Sequence, residues 1–384
     1  MAPNRHLNVE RQSIRPRSRL MNNRPCLLRR FVPMRFMAWI CLLAAVGLLP
    51  SRALGKQAGA EQRELVIMQW NVENLFDSED DPDNTGDDSY TADGWQKWTE
   101  YRYRMKVRHL AEIIGKLKPN ILCLQEVENL RVLKDLQHAL RKKHDLNLEY
   151  LVHREGQDHR GIDVAIMSTV EPANPRWITP VEAQRDILIA DFNVDGKTFS
   201  VIANHWKSQW GNKKAAGLLR SRQAKAVRKA VDEIVSRDRG AAILVVGDFN
   251  DDYASPVITN VLMSSADRGQ VMQDRSGRTL FNLHATLDEG EQGTIYYRRG
   301  GTWNSFDGIS VSRALLPPTT TNQNSAGWIV KEGSYSVVRW PELVDEEGYP
   351  KPFRQIRDRK SGKKVYVTGY SDHLPVRVAI EMKP

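Results

Sequence analysis

The chain has 384 residues, 41% hydrophobic and 27% charged, which is ordinary for a folded globular protein and excludes a disordered or fibrous one. The formal charge of +9 misleads, because ten arginines and only one acid lie in residues 1–55. Removing these from the 56 basic and 47 acidic residues leaves 46 of each, so bulk charge argues for no partner.

Residues 1–55 read as a basic leader and signal peptide. Arg29, Arg30 and Arg35 precede an apolar run, Met37–Pro50, that is short for a bilayer span. Ala53-Leu54-Gly55 then forms a small-x-small cleavage site before Lys56. Export to the periplasm or the outside is expected, with an uncleaved membrane anchor over residues 36–50 as the alternative. Residues 56–384 form the working part, within which Cys123 is the lone cysteine. It can make no intrachain disulfide, and its apolar neighbours make it a core residue rather than a nucleophile.

Glu64–Trp70 is a strand pattern ending at Asn71. The acidic stretch Asp77–Asp93 lacks the glycine and glutamate spacing of an EF-hand and reads as a solvated loop rather than a calcium site. Trp98–Leu117 has helical spacing and is stopped by Pro119. Asn120–Leu124 is a buried strand ending in Gln125-Glu126, and Leu130–His144 a second helix. Arg160–Met167 is a strand entered through Arg160-Gly161. Ile187–Val194 and Thr198–Ala203 flank Asp195-Gly196, a hairpin signature, and the second strand ends in Asn204-His205-Trp206-Lys207.

Leu218–Val235 is an amphipathic helix with Leu219, Ala226, Ala230, Val231 and Ile234 on its apolar face. Lys207, Lys213, Lys214, Arg220, Arg222, Lys225 and Arg228 form a local basic stretch there. It reads either as a track for a phosphate backbone or as the solvated face of the helix. Trp206 and Trp210 either stack on bases or pack. Ala241–Val246 is a short β-branched run that ends in Gly247-Asp248-Phe249-Asn250. Asp307 opens another strand, residues 317–364 form a long polar excursion, and Asp372-His373 opens the last strand.

Strand ends therefore carry Asn71, Glu126, His205, Asp248, Asn250, Asp307, Asp372 and His373. Any one of these could be a cap or a turn residue. Together, oxygen ligands without a second cysteine point to a hard cation, magnesium or manganese, rather than zinc. Two histidines supply proton transfer near neutrality. That combination is what phosphodiester hydrolysis needs.

The motifs WNVENL (70–75), LQEVEN (124–129), RGIDVAIM (160–167), NHWKS (204–208), GDFND (247–251), DGISVS (307–312) and SDHLPV (371–376) resemble, in order, those of the endonuclease/exonuclease/phosphatase superfamily, DNase I-like in fold. The resemblance implies a four-layered α/β sandwich, two packed mixed sheets with helices outside. It implies Glu126 as the main magnesium ligand with Asn71 and Asp372 nearby, and Asp248 orienting or deprotonating the attacking water. Asn250 would hold a phosphate oxygen. His373, oriented by Asp307, would bind the scissile phosphate and serve in acid/base work. His205 would contact the phosphate from the other side and help protonate the leaving oxygen; its setting is closer to the DNase I and sphingomyelinase branches than to abasic-site enzymes. Arg160 and Lys207 are candidate phosphate contacts; the alternatives are a surface strand-entry residue for Arg160 and a solvated loop charge for Lys207. An exported nuclease is expected, with a phospholipid phosphodiesterase, a small-phosphoester phosphatase or an inactive binding module as alternatives. No obligate protein partner is implied.

Overall fold

The computed structural model describes residues 63–82, 84–317, 327–358 and 361–382. The leader and anchor readings of residues 1–55 lie outside them.

In chain order the first sheet receives β1 (Glu64–Leu75), β2 (Ile121–Val127), β3 (Tyr150–Val152) and β4 (Asp163–Ser168). The second receives β5 (Pro172–Ile178), β6 (Ile187–Val194), β7 (Lys197–His205), β8 (Ile243–Asp248), β9 (Ser264–Ser265) and β10 (Leu280–Asn282). A small hairpin, β11 (Ile295–Tyr297) with β12 (Thr302–Asn304), precedes β13 (Asp307–Ser312), which returns to the second sheet. β14 (Trp328–Val330) and β15 (Ser336–Val337) join the first sheet. A second hairpin, β16 (Phe353–Arg357) with β17 (Lys364–Thr368), leads to β18 (Val376–Met382). The first sheet runs β14-β18-β1-β2-β4-β3, with β15 also on β18, and the second runs β5-β6-β7-β8-β13-β10-β9. Both are mixed: β1–β2 and β7–β8 are parallel pairs, whereas β1–β18 and β8–β13 are antiparallel.

The layers follow from side-chain alternation. Leu65 and Ile67 of β1, Ile121 and Cys123 of β2, Val201 and Ala203 of β7, Leu244 and Val246 of β8, and Ile309 and Val311 of β13 meet between the sheets. Their alternates face outward. Met68, Trp70, Leu122 and Leu124 pack under helices α1 (Glu100–Leu117) and α2 (Leu130–His144). Ile202, Ile243 and Val245 pack under α3 (Lys213–Arg237). Asn129 caps α2 by accepting the Val132 N–H at 3.0 Å, and Asn212 caps α3 by accepting that of Ala215 at 3.1 Å. A short α4 (Arg268–Gln273) lies beside β9 and β10. This is the expected four-layered sandwich.

Three expectations change. First, the buried face of α3 is rotated: Ala216, Arg220, Gln223, Ala224, Val227, Arg228, Ala230, Val231 and Val235 are buried, while Leu218 is exposed. Arg220 and Arg228 belong neither to a solvated face nor to a phosphate track. Arg220 pairs with Asp251 at 3.0 Å and Arg228 with Asp232 at 2.9 Å. Second, the 317–364 excursion is not irregular throughout: Trp328, Tyr335, Val338, Leu343 and Phe353 are core residues, and its strands extend the first sheet. Third, the acidic loop is not wholly solvated, since Asp77 and Asp87 are buried. Cys123 and Trp206 are fully buried, Trp206 edge-on to Phe249 at 4.9 Å.

Candidate active site

At one end of the sandwich the inner faces turn polar. Strand register places His205 beside Asp248 and Asp248 beside Asp307 in the second sheet, and Asn71 beside Gln125 in the first. Alternation continues the faces of Ile67, Ala203, Val246 and Ile309 into Gln69 and Asn71, His205, Asp248 and Asp307. Gly247 permits this: with φ 140°, it lies so close to the Asn204 backbone that a Cβ would collide with it.

Asp248 is the hub. Its Oδ2 accepts the Asn71 Nδ2–H at 2.9 Å and lies 3.6 Å from His205 Nε2 and 3.9 Å from His373 Nε2. Its Oδ1 accepts the Asn250 N–H at 2.8 Å. Burial, then the like charge of Asp307, raises its carboxyl above the ordinary range. Asp307 is fully buried; its Oδ2 sits 2.7 Å from His373 Nδ1 and accepts the Thr294 hydroxyl at 2.7 Å, while Oδ1 accepts the Gln69 amide at 3.0 Å. Burial works against a charged His373, but the carboxylates of Asp307 and then Asp248 outweigh it and lift the imidazole well above its usual value. His205 goes the other way: burial, followed by Arg185 and Arg160, holds it well below. The surroundings of the two buried histidines thus push them in opposite directions, His373 toward the charged form and His205 toward the neutral one. The segment before β18 is anchored by the Ser371 hydroxyl, which donates to the Asn71 carbonyl at 2.7 Å and accepts the His373 N–H at 3.0 Å.

Glu126 reaches the same mouth by a distortion. Simple alternation after Leu122 and Leu124 would turn it toward the helices. Instead the β1–β2 and β2–β4 registers both shift around it, and Glu126 adopts φ 65°. A bulge of this kind re-aims a side chain. Glu126 Oε2 accepts the Asn74 N–H at 2.9 Å and lies 3.7 Å from Arg160, while Oε1 is 3.9 Å from His205 Nε2. Arg160 also donates to Asn74 Oδ1.

The remaining expected residues fall on the rim. Asn250 donates one Nδ2–H to the Trp206 carbonyl at 3.1 Å. Lys207 makes no ion pair among the described residues; it is half-exposed, and partial burial, then Arg185, lowers its ammonium. Asp372 is tied by Oδ2 to Arg354 at 2.8 Å, with Oδ1 4.0 Å from His373 Nε2.

Sequence reasoning missed several partners. Gln69 had a signal, lying two residues before Asn71 on the same strand face. Arg185 and Asp158 did not, being loop residues. Arg185 is buried, donates to Asp158 at 2.9 Å and to the Trp206 carbonyl at 2.5 Å, and so braces the turn after His205. Arg354 comes from the excursion and bridges Asp372 and Glu73, the latter at 3.0 Å. Beside them the fully buried Lys106 donates to the Tyr370 carbonyl.

The donor set fits a hard divalent cation. Its members are carboxylate and carboxamide oxygens, and Gln125, register partner of Asn71, has both amide atoms buried without a hydrogen-bond partner among the described residues. A paired His/Asp couple, a second histidine and a carboxylate hub are thus gathered at one end of two packed mixed sheets.

The chain belongs to the Endonuclease/Exonuclease/phosphatase family, which it matches over residues 66–382. Enzymes of this superfamily are generally dependent on divalent metal. No curated protein matches the chain. Among solved structures it is similar to an endonuclease/exonuclease/phosphatase family protein from Bacteroides thetaiotaomicron, with 17% identity, 84% of this chain and 96% of that chain covered, and TM-score 0.50. It is also similar to TDP2 from C. elegans, with 17% identity, 85% and 78% covered, and TM-score 0.50. A mannosyl-6-phosphatase of Bacteroides thetaiotaomicron aligns with 16% identity, 82% and 99% covered, and TM-score 0.48. At these identities the likeness is one of fold.

Proposed function

We propose that the chain is an exported, magnesium-dependent phosphodiesterase whose substrate is nucleic acid. The observation that carries the chemistry is the Asp307–His373 pair at 2.7 Å facing Asp248, with His205 3.6 Å from the same carboxylate oxygen that His373 approaches to 3.9 Å. Asn71, Glu126 and Asp372 would hold magnesium, or manganese in its place, and the bound ion would neutralise phosphate charge. Asp248 takes the proton of the attacking water as the new P–O bond forms. As the P–O bond to the leaving group breaks, His373 returns a proton to that oxygen. The family resemblance gives His205 both a phosphate contact and a part in this last step; because burial disfavours its charged form whereas Asp307 favours that of His373, we keep the phosphate contact for His205 and assign the protonation to His373. Arg160 and Lys207 contact the phosphate from the rim.

Nucleic acid is favoured by the lip next to His205. Trp210 is 80% exposed, and its neighbour Gln209 donates to the Asn250 carbonyl at 3.1 Å. Lys213 and Lys214 are exposed beside it. An exposed tryptophan among lysines suits base stacking and backbone charge. Export rests on the leader pattern of residues 1–55, and intact mass of the secreted protein should place the mature N-terminus near Lys56. The activity test uses plasmid DNA, RNA, sphingomyelin and a chromogenic phosphomonoester, each with magnesium or EDTA. Cleavage of a nucleic acid with magnesium, abolished by EDTA, is expected. Cleavage of sphingomyelin alone would move the assignment to a lipid phosphodiesterase, and of the monoester alone to a phosphatase.

A further inference from the structure

The acidic loop between β1 and α1 is absent from the chemistry above. Three of its carboxylates, Asp80, Asp87 and Asp88, each offer an oxygen within 4.8 Å of the others. Like charges at that spacing repel, and among the described residues no lysine or arginine forms an ion pair with any of the three. Asp80 and Asp88 are exposed and are solvated. Asp87 is 1% exposed. Its Oδ2 accepts the Asp81 N–H at 2.9 Å, but Oδ1 is buried with no hydrogen-bond partner among the described residues. A carboxylate oxygen withdrawn from water without a donor is costly, and natural structures satisfy such atoms with a partner or an ion.

We propose that Asp80, Asp87 and Asp88 hold a calcium ion, with the unpartnered Asp87 oxygen as its innermost ligand. The three are hard oxygen donors with no histidine or thiolate among them, which disfavours zinc. They sit on an irregular loop, which suits the adaptable coordination of calcium better than the rigid octahedron of magnesium. The site is separate from the catalytic mouth but braces it. Gly86 lies directly against the Arg160 backbone, where a Cβ would collide, and Tyr90 stacks on Phe76 at 4.1 Å. Arg160 in turn reaches Glu126 and Asn74. An ion that fixes this loop therefore fixes the Arg160 side of the active site.

The test titrates calcium chloride into the mature chain at saturating magnesium, read by calorimetry and by thermal unfolding. Wild type, Glu126→Gln, Asp87→Asn and the exposed pair Asp80→Asn/Asp88→Asn are compared. Wild type and Glu126→Gln should each bind one calcium and melt higher with it, whereas both loop variants should bind about tenfold more weakly or worse. In EDTA the order should invert: Asp87→Asn, which removes a buried unpaired charge, should melt at or above wild type. Equal calcium binding by wild type and both loop variants overturns the proposal, as does calcium binding that is lost in Glu126→Gln but kept in Asp87→Asn. The double variant alters only exposed side chains, so its result does not depend on whether a core change is tolerated.

Discussion

Two halves of the same inner strand faces differ in everything but backbone. In one half Ile67, Val201, Leu244 and Ile309 meet across the sheets and are fully buried. A few residues along, the same faces present Asn71, His205, Asp248 and Asp307, buried to a similar degree. The apolar half stabilises the fold by removing surface from water. The polar half opposes it, because each buried carboxylate must be held by donors from Asn71, Gln69, Thr294 and Asn250. The two halves share strands but not purpose, so stability and chemistry should be separable by substitutions four residues apart on one strand.

The largest effect is expected at the polar end. Asp248→Ala should lower phosphodiester hydrolysis by about 10³-fold, the range of a lost general base, while leaving a single cooperative unfolding transition. Turnover and circular-dichroism melting on one preparation check this; full activity in the variant would remove Asp248 from the reaction. Four residues earlier, Leu244→Ala should cost about 2–5 kcal/mol of stability by leaving a cavity between the sheets. Its turnover per folded molecule should stay at the wild-type value, as measured below its own transition. A Leu244→Ala protein that is stable but inactive would break the division.

How much of this was legible follows the same division. Period-two alternation placed the strands, and the polar residue at the end of each was visible as the next position on the face. His205, Asp248 and Asp307 were readable for that reason. Glu126 was readable only by motif, since alternation alone points it at the helices and the bulge that turns it back depends on two neighbouring registers. Arg185, Asp158 and Arg354 were not readable, because loop residues carry no period and their partners lie far off in sequence. The excursion hid its core residues for a related cause: strands of two or three residues are too short to show alternation. Arg220 was misread because its partner, Asp251, belongs to the segment after β8, whereas Arg228 had its partner Asp232 one helical turn ahead.

A subtler substitution tests whether the polar half acts as one coupled unit. His373 faces Asp307 and Asp248 from the second sheet and Asp372 from its own segment, with His205 approaching the same Asp248 oxygen. In the proposed reaction Asp248 must be ionised and His373 protonated, so kcat/KM should rise with pH as Asp248 loses its proton and fall as His373 loses its own. Burial first, then Asp307, raises Asp248; for His373, Asp307 is the leading force against burial. Asp307→Asn removes one negative charge beside both groups. An acid freed of a like charge ionises at lower pH, and an imidazolium deprived of its counter-charge also loses its proton at lower pH. The whole bell should therefore move toward acid. The alkaline limb should move further, by about one pH unit or ~1.4 kcal/mol, because it loses a charged hydrogen bond as well as a field. Profiles on a small chromogenic phosphodiester at saturating magnesium measure both limbs. An alkaline limb that stays in place would mean that another group supplies the proton, and the coupling between Asp307 and His373 would then serve structure alone.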